Sequence, residues 1–174
     1  MTGKILVLAL VLSAAIAAAA MYYLQVYGFY YEVAAEPGRD VQLVPQGGGA
    51  AEPIDYANFS AIDADSSPIR YRACFETGLS LEELSARFSP AEDPEPLNAP
   101  GWFDCFDAPD LARALQDGTA RAFIGGKNIH FGVDRIVAVT DAGRGYAWNA
   151  LNNCGQKAYD GTVVGEECPP RPEN

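Results

Sequence analysis

The sequence predicts an α+β protein, in which an N-terminal transmembrane helix precedes one small domain. This domain has an antiparallel sheet of hairpins and two short helices, and it is stapled by disulfides. Three observations lead to the prediction. Residues 5–26 carry no charge. Later segments alternate apolar and polar residues between turn signals, and two segments start with helix-capping residues. The four cysteines all follow the apolar run, at Cys74, Cys105, Cys154 and Cys168.

Residues 5–26 are long enough to cross a bilayer as a helix. A rise of about 1.5 Å per residue gives roughly 33 Å, against a hydrocarbon core of about 30 Å. Lys4 precedes the run, and the first positive charge after it is Arg39. Since positive charge stays on the cytoplasmic side, we expect a cytoplasmic N-terminus and a domain outside the cytoplasm. Residues 1–31 are therefore predicted to be a membrane anchor, embedded through residues 5–26.

The far end of the predicted span is rich in aromatic residues. Amphipathic rings prefer the headgroup level, so the cluster predicts an interfacial belt. It comprises Tyr22, Tyr23, Tyr27, Phe29, Tyr30 and Tyr31. The alternative is a cleaved signal peptide, because residues 18–20 fit a small-x-small cleavage site. We favour the retained anchor, since cleavage there would expose the apolar, aromatic stretch from Met21 onwards to water.

Three pairs of small residues lie four positions apart within the run. Such faces let a second transmembrane helix approach closely. The pairs are Ser13 with Ala17, Ala14 with Ala18, and Ala15 with Ala19. The simpler explanation is that alanine is common in membrane and signal segments. The pairs therefore allow a partner helix but do not require one.

The chain is strongly acidic, with a net charge of −11 over 174 residues. This charge excludes nucleic acid as a partner, because phosphates need a basic face. It also disfavours a domain lying flat on anionic lipid, and it keeps a small external domain soluble.

An even number of cysteines in a segment placed outside the cytoplasm predicts two disulfides. Three pairings are open, and we favour Cys74–Cys105 with Cys154–Cys168. The first would tie a strand to the loop before a helix, and the second would staple a tail with little core of its own. In the chain-entropy model each would contribute about 3 kcal/mol or somewhat more. The alternative is four reduced thiols in a cytoplasmic domain.

Composition divides the rest of the chain into two parts. Residues 32–53 are predicted to be a juxtamembrane linker, with its most flexible point at Gly47–Gly49. Residues 41–44 form either a short strand or no regular structure. Residues 54–174 are predicted to be the extracytoplasmic α+β domain.

The first strands of the domain come from residues 54–62 and 69–75, joined by a turn cluster. Apolar residues alternate with arginines and Cys74 in the second segment, which is a strand signature, so a hairpin is predicted. Asp63 and Asp65 in the turn could bind a cation. Two carboxylates without further regularly spaced ligands are better explained by turn chemistry.

Two short helices are predicted from capping signals. Ser80 and Glu83 match a capping box, and the helix would run to Phe88 before a proline stops it. A proline-rich and acidic extended loop, residues 90–100, follows. Asp107 caps the second helix, and Gly118 ends it.

The second half of the domain is predicted to form further hairpins. Residues 119–124 are predicted to be a strand, and Gly125–Asn128 its hairpin turn. Residues 129–139 are predicted to be the strongest strand, with a turn at 141–145 and a return strand from Tyr146. Residues 151–174 are predicted to be a loop pinned by its cysteines.

No reactive constellation stands out, so we expect no catalytic, cofactor-binding or metal-ligating residues. His130 is the only histidine, and no serine nearby in sequence could be its nucleophile. The cysteines lack the CxxC spacing of zinc knuckles or redox sites. The aromatic residues around Cys105, Trp102, Phe103 and Phe106, are typical of core around a disulfide.

Three stretches of the chain have distinctive amino-acid sequences. They are the opening through Val33, residues 61–75 (AIDADSSPIRYRACF), and the close, NCGQKAYDG at 153–161 with CPPRP at 168–172. They resemble an uncharacterised family of short alphaproteobacterial envelope proteins, a domain of unknown function, over nearly the whole chain. Some members are labelled histidine kinases, but this chain lacks kinase ATP-binding motifs and the length for a catalytic domain. The resemblance implies a bacterial inner-membrane setting and supplies no activity.

These observations favour a non-enzymatic, single-span envelope protein. Its periplasmic domain would bind or support a protein partner in or near the inner membrane. The second hypothesis is a periplasmic ligand-binding or sensing domain with a pocket near Trp102, Phe103 and Trp148. The third is an enzyme that uses His130, which requires a cleft with the imidazole beside a carboxylate or hydroxyl.

Overall fold

The computed structural model describes residues 2–170 and begins with one long helix. Helix α1 spans Thr2–Tyr23, and a π-helical turn, Leu24–Gly28, continues it. The stretch Gly3–Gly28 has a mean hydropathy of 2.5 and none of its most apolar window is buried, so its length and composition suit a membrane span. We call residues 29–170 the head.

The head is built on a six-stranded antiparallel sheet with the strand order β1-β4-β5-β8-β7-β6. A separate two-stranded sheet pairs β2 with β3. The strands are β1 (Tyr31–Val33), β2 (Gln42–Leu43), β3 (Glu52–Pro53), β4 (Ala57–Asp63), β5 (Arg72–Glu76), β6 (Ala120–His130), β7 (Val133–Thr140) and β8 (Arg144–Leu151). Together with the long apolar helix, two short helices and two disulfides, this sheet confirms the predicted fold class.

The sheet separates two hydrophobic cores, because successive side chains of a strand point to opposite faces. Residues 41–54 and the first short helix cover the first face. The loop before the second short helix, and that helix itself, cover the second face. The alternation along β5 shows the division, since Ala73 and Phe75 belong to the first core and Cys74 to the second.

The first face takes its cover from the segment that was predicted to be a linker. Val41 and Leu43 are 0% exposed and lie in the first core. Val44 donates its backbone N–H to the carbonyl of Ile124 at 2.8 Å, which joins this segment to β6. Val41 and Leu43 therefore pack with the domain, although they precede residue 54, its predicted start.

Both short helices form where their caps predict. Helix α2 spans Leu81–Arg87, and Ser80 with Glu83 completes a capping box. Helix α3 spans Ala108–Asp117, with the carboxylate of Asp107 accepting from the backbone N–H of Asp110. Gly118 ends it in the left-handed region at φ 76°, which glycine adopts without steric cost.

The prediction of a hairpin turn at Gly125–Asn128 is wrong. These residues lie inside β6, and the turn to β7 is formed by Phe131 and Gly132. A Cβ on Gly125 would lie 2.8 Å from side-chain carbons of Arg135 and Val137, so this glycine permits a close strand approach. The pairing of β6 with β7 shifts register on either side of Gly126, which marks β-bulges in this part of β6. The predicted strand 129–139 is accordingly divided between β6 and β7.

The turn after β7 and the return strand β8 form as predicted, and the chain then leaves the sheet. Residues 152–170 contain one isolated bridge, between Lys157 and Val163, and are otherwise loop. Cys154 is bonded to Cys168, and Cys74 to Cys105, which is the pairing that we favoured. The end of the predicted loop, residues 171–174, lies outside the described residues.

Candidate functional site

The head contacts the end of the anchor through two polar side chains. The indole N–H of Trp102 donates to the carbonyl oxygen of Val26 at 2.6 Å. The guanidinium of Arg70 donates to the carbonyl and the side-chain oxygen of Gln25, at 3.1 and 2.5 Å. The π-helical turn leaves carbonyls of the last turns without their usual partners, so these donors also complete the end of the helix.

Aromatic rings close the same contact. The ring of Trp102 is stacked on Tyr27 with centroids 6.3 Å apart, and its edge meets Tyr30 at 5.9 Å. The guanidinium of Arg70 lies 5.4 Å from the centroid of the Tyr30 ring. Contacts of this kind each contribute about 0.5–1.5 kcal/mol beyond burial. We call the set Gln25, Val26, Tyr27, Tyr30, Arg70 and Trp102 the junction.

A buried arginine holds the loop that carries Trp102. Arg72 on β5 is 4% exposed, and its guanidinium donates to the carbonyls of Ile69, Tyr71, Leu97 and Asn98 at 2.7–3.0 Å. Burial lowers the pKa of Arg72 to about 10, which still leaves it charged at neutral pH. The buried guanidinium is paired with four backbone carbonyls and not with an acidic side chain. These charge-assisted hydrogen bonds fasten the loop to β5.

The Cys74–Cys105 disulfide fastens the same loop three residues after Trp102. Phe103 and Phe106 pack beside it in the second core, 8% and 5% exposed. On the anchor side, β1 starts at Tyr31, directly after the helix end, and pairs with β4. The junction is thus bounded by a paired strand on one side and a cross-linked loop on the other.

At the place of the predicted pocket near Trp102, Phe103 and Trp148, the described residues form a cleft of about 300 Å³ whose wall includes Phe103 and neither tryptophan. Trp148 is 0% exposed, and its ring meets Phe106 edge-on at 6.3 Å. These rings fill the second core instead, because β8 points Trp148 into the space between the sheet and the 97–106 loop. The ring of Trp102, 37% exposed, faces the anchor.

His130 lies at the end of β6 with an exposed side chain. Burial raises the pKa of Asp63, and the charge of His130 opposes a small part of that rise. No hydrogen bond joins the imidazole to another residue within the described chain. Among the described residues, no three His, Cys, Asp or Glu side chains come together as a metal site.

A polar cluster lies on the first face near this end of the sheet. The guanidinium of Arg135 lies 3.5 Å from the centroid of the Tyr71 ring and donates to Asn149 at 2.6 Å. Burial raises the pKa of Tyr71 and of Asp63, and it lowers the pKa of Arg135. Each shift disfavours the charged form, which is the sign that desolvation produces. The cluster satisfies its own hydrogen bonds and has no adjoining cleft among those that the structure shows.

Two clefts flank the proline-rich loop. One, of about 710 Å³, lies between α3, β6 and residues 90–96, with Phe88, Leu115 and Phe123 in its wall. The other, of about 690 Å³, is more polar and reaches Lys127, Asp134 and Glu166. Both volumes fall in the range of small-molecule sites.

Sequence reasoning placed Trp102 in a core and missed Arg70 and Gln25 altogether. The available signal was weak. An arginine at a strand entrance and a glutamine at the end of an apolar run, 45 positions apart in sequence, become partners only once β1 and β4 pair.

The comparisons with known proteins give one match. Residues 41–169 match a family that is described as a family of unknown function, DUF6446. No curated protein and no solved structure is significantly similar to the chain. The match begins at Val41, the first buried residue of the segment that covers the first face.

Proposed function

The chain belongs to this family of unknown function, and from that premise we propose that it is a non-enzymatic, single-span accessory or scaffold protein. In this proposal the helix lies in a bacterial inner membrane with its N-terminus in the cytoplasm. The head lies in the periplasm and binds a protein partner in or next to the membrane.

The charge pattern and the disulfides support this location. Lys4 precedes the span, and Glu32 and Glu36 follow it before Arg39, which is the asymmetry of a cytoplasmic N-terminus. Disulfides persist in oxidising compartments, and all four cysteines of the head are paired. The described part of the head is therefore suited to an extracytoplasmic setting.

The junction is the observation that carries the proposed role. An anchor alone needs only a flexible tether, whereas here Trp102 and Arg70 hold the helix end in one direction. A head with a fixed direction presents the same faces to its neighbours in the bilayer. This preorganisation lowers the ordering entropy that a partner would otherwise have to offset. An enzyme acting on soluble substrates gains nothing from it.

Recovery of a partner from native membranes tests the proposal. We would purify the tagged full-length protein in mild detergent, beside Trp102→Ala and Trp102→Phe. Phe keeps the ring stacked on Tyr27 and loses the hydrogen bond to Val26, so it is the matched control. We expect a specific partner, recovered several-fold less with Trp102→Ala. Recovery of no partner, or recovery that is unaffected by Trp102→Ala, contradicts the proposal.

A photo-reactive residue in the helix locates the contact. Ala17 lies on the face of the Ser13–Ala17 pair, and Leu12 lies on another side of α1, with Ala15 and Ala19; both are exposed along the helix. We expect an adduct with a second membrane protein from position 17 and less from position 12. Equal labelling at the two positions would show that the Ser13–Ala17 face is not used as a specific contact.

A second candidate function is ligand sensing, and the larger cleft is the observation that favours it. Its volume of about 710 Å³ and its wall of apolar side chains are typical of ligand sites. Ala112→Trp on α3 would fill this cleft from its exposed side. Sensing predicts that a periplasmic extract raises the melting temperature of the wild-type protein but not of Ala112→Trp. An extract with no effect on either protein would exclude this candidate.

A further inference from the structure

The exposed large apolar residues of the head are unevenly distributed. One group surrounds the junction and comprises Phe29, Tyr31 and Trp102. The second group comprises Ile129, Phe131, Leu151, Tyr159, Val163 and Val164. Leu151 is 72% exposed and Tyr159 is fully exposed. Soluble domains scatter such residues singly, and a concentration at one end marks an interaction surface.

One end of the six-stranded sheet holds the members of both groups that border its strands: Phe29, Tyr31, Ile129, Phe131 and Leu151. The antiparallel order places the start of β1, the end of β4, the end of β8 and the β6–β7 turn together. Leu151 is opposite Val133, and Val133 is opposite His130, so the end of β8 and this turn are neighbours. The loop with Tyr159 leaves the sheet immediately after Leu151. We call this the anchor end of the sheet, because the span enters it through β1.

The opposite end of the sheet has a different character. There β5 ends at Glu76, and the β7–β8 turn is formed by Asp141 and its neighbours, followed by Arg144. Within residues 29–170, the large exposed apolar side chains do not fall at this end. The large exposed apolar side chains of the head are therefore concentrated at one end along the strand direction, where they lie beside the exposed carboxylates of Glu32 and Asp65.

We propose that the anchor end of the sheet rests on the bilayer that holds the helix, with Leu151 and the β6–β7 turn at the level of the lipid headgroups. Only residues 29 and 30 separate the helical segment from β1. At no more than about 3.6 Å per step, the three Cα–Cα steps from Gly28 to Tyr31 hold the start of β1 within about 11 Å of the span. The end of β8 lies three strands further across the sheet, which adds about 14 Å at about 4.8 Å per strand. The chain itself therefore holds this end of the sheet near the membrane surface.

Apolar contact, and not charge, would drive this docking. The net charge of −11 offers no general attraction to anionic lipid, so a free head would bind lipid weakly. The anchor removes that difficulty, because tethering makes the contact intramolecular and raises its effective concentration. Valine, leucine and phenylalanine side chains then leave water for the interface, as they do in proteins that lie on membranes.

The inference rests on the anchoring part of the proposed function and is independent of any protein partner. Docking would fix the height and tilt of the head above the membrane, in addition to the direction that the junction sets. It would also turn the 710 Å³ cleft beside the start of β6 towards the periplasm, and it would place the 690 Å³ cleft, which Leu151 lines, next to the bilayer.

Fluorescence quenching in nanodiscs tests the contact. The full-length protein would be placed in phosphatidylcholine nanodiscs that contain lipid brominated near the headgroup end of its chains. Leu151→Trp reports the anchor end, and Ala142→Trp reports the opposite end; both side chains are exposed, so both proteins should fold. The emission of the parent, with its native Trp102 and Trp148, is subtracted.

We expect brominated lipid to quench the added emission at position 151 by about half and that at position 142 by less than about a tenth, as for interfacial and solvent positions. Equal weak quenching at both positions overturns the inference. So does a position 151 that is shielded from lipid and crosslinks to a protein in cells. A chain that fails to incorporate into nanodiscs would contradict the anchor itself, and with it the proposed function. Incorporation without quenching at 151 contradicts docking alone.

Discussion

The two disulfides join very different regions of the head. Cys74–Cys105 ties β5 to the loop that packs on the second core, and Cys74 is itself 8% exposed. Cys154–Cys168 closes a loop in which Tyr159 is fully exposed. None of the described residues after Asn149 is buried. Cys74–Cys105 therefore reinforces a hydrophobic core, whereas Cys154–Cys168 holds a loop that has no core of its own.

The comparison teaches that the two regions need not unfold together. The closed loop is ordered by its own backbone hydrogen bonds, such as Ala158 to Thr162 and Val164 to Gln156. Its link to the sheet includes the ion pair between Lys127 and Glu166, which is half exposed and therefore weak. A perturbation of the core should unfold the head, and a perturbation of the loop should leave the head intact.

Replacement of Trp148 by alanine is the strongest way to break one region alone. Trp148 is 0% exposed, and its removal should destabilise the head by about 3–5 kcal/mol, through lost burial and the cavity left behind. Tyr159→Ala in the loop is the matched aromatic control and should change stability by less than about 0.5 kcal/mol. Guanidinium unfolding followed by near-UV circular dichroism measures both. Similar losses from both variants would show that loop and core unfold as one unit.

Removal of each disulfide gives the next largest difference. The bonds close segments with sequence separations of 31 and 14 residues. Chain entropy assigns them similar values, about 3–4 kcal/mol. We expect the free energy of unfolding of the head to fall by this full amount only in the double variant Cys74→Ala/Cys105→Ala. Cys154→Ala/Cys168→Ala should leave the melting temperature of the head within about 2 °C.

Hydrogen exchange reports on the second variant locally. Without Cys154–Cys168, the amides between Gln156 and Val164 should lose protection, while those of β5 to β8 keep theirs. Loss of protection throughout the sheet would mean that the loop supports the core after all.

Trp102→Ala sharpens the comparison at the other end of the chain. Trp102 is 37% exposed, so its loss should cost the head less than about 1 kcal/mol. It should nevertheless free the head to reorient on the helix, because the stack on Tyr27 and the bond to Val26 disappear together. The decay of fluorescence anisotropy from a dye at Ala142, in nanodiscs, should gain a fast component. Trp102→Phe should show a smaller gain, and a decay that is unchanged by alanine would refute the role of the junction.

Asp63→Asn has the smallest expected effect, and its sign is set by burial. Desolvation raises the pKa of Asp63 in the folded head, so ionisation costs stability. That cost is absent below the unfolded pKa, near 3.9, and appears as pH rises through the folded pKa. The substituted amide cannot ionise, and its oxygen can still accept the hydrogen bond from the N–H of Ala64, which Asp63 accepts at 2.8 Å.

We therefore expect the variant to be equal or more stable at pH 7, by no more than about 0.5 kcal/mol, since Asp63 is only half buried. Its stability should also rise relative to wild type between pH 4 and pH 7. Carboxyl resonances in a pH titration measure the folded pKa. A pKa below 3.9, or a variant that loses stability at pH 7, would show that the hydrogen bond from Ala64 and the attraction of Arg135 together outweigh desolvation.

Local signals in the sequence were sufficient for the helices and for much of the sheet. Ser80 and Glu83 form their capping box within four residues, and Asp107 and Gly118 bound α3. Such features need only neighbours in sequence, so a pattern can reveal them. The preferred cysteine pairing followed from similar reasoning about which segments lack a core.

Features that depend on distant neighbours were missed. Gly125 resembles a turn residue, but its role is to admit the side chains of Arg135 and Val137 from the next strand. Leu43 lies among glycines and prolines that suggested a linker, although it is buried against the first core. The junction combines residues from three separate segments, and no local pattern relates Trp102 to Val26.

The intact mass of the native polypeptide, extracted from cell membranes without reduction, tests the central claim most directly. The claim is that a retained helix carries an oxidised head outside the cytoplasm. It predicts a chain that keeps residues 5–26, apart from processing of the first methionine, with a mass four hydrogens below that of the reduced chain, for its two disulfides. A polypeptide that begins at Met21, or one that carries four free thiols, would contradict the account.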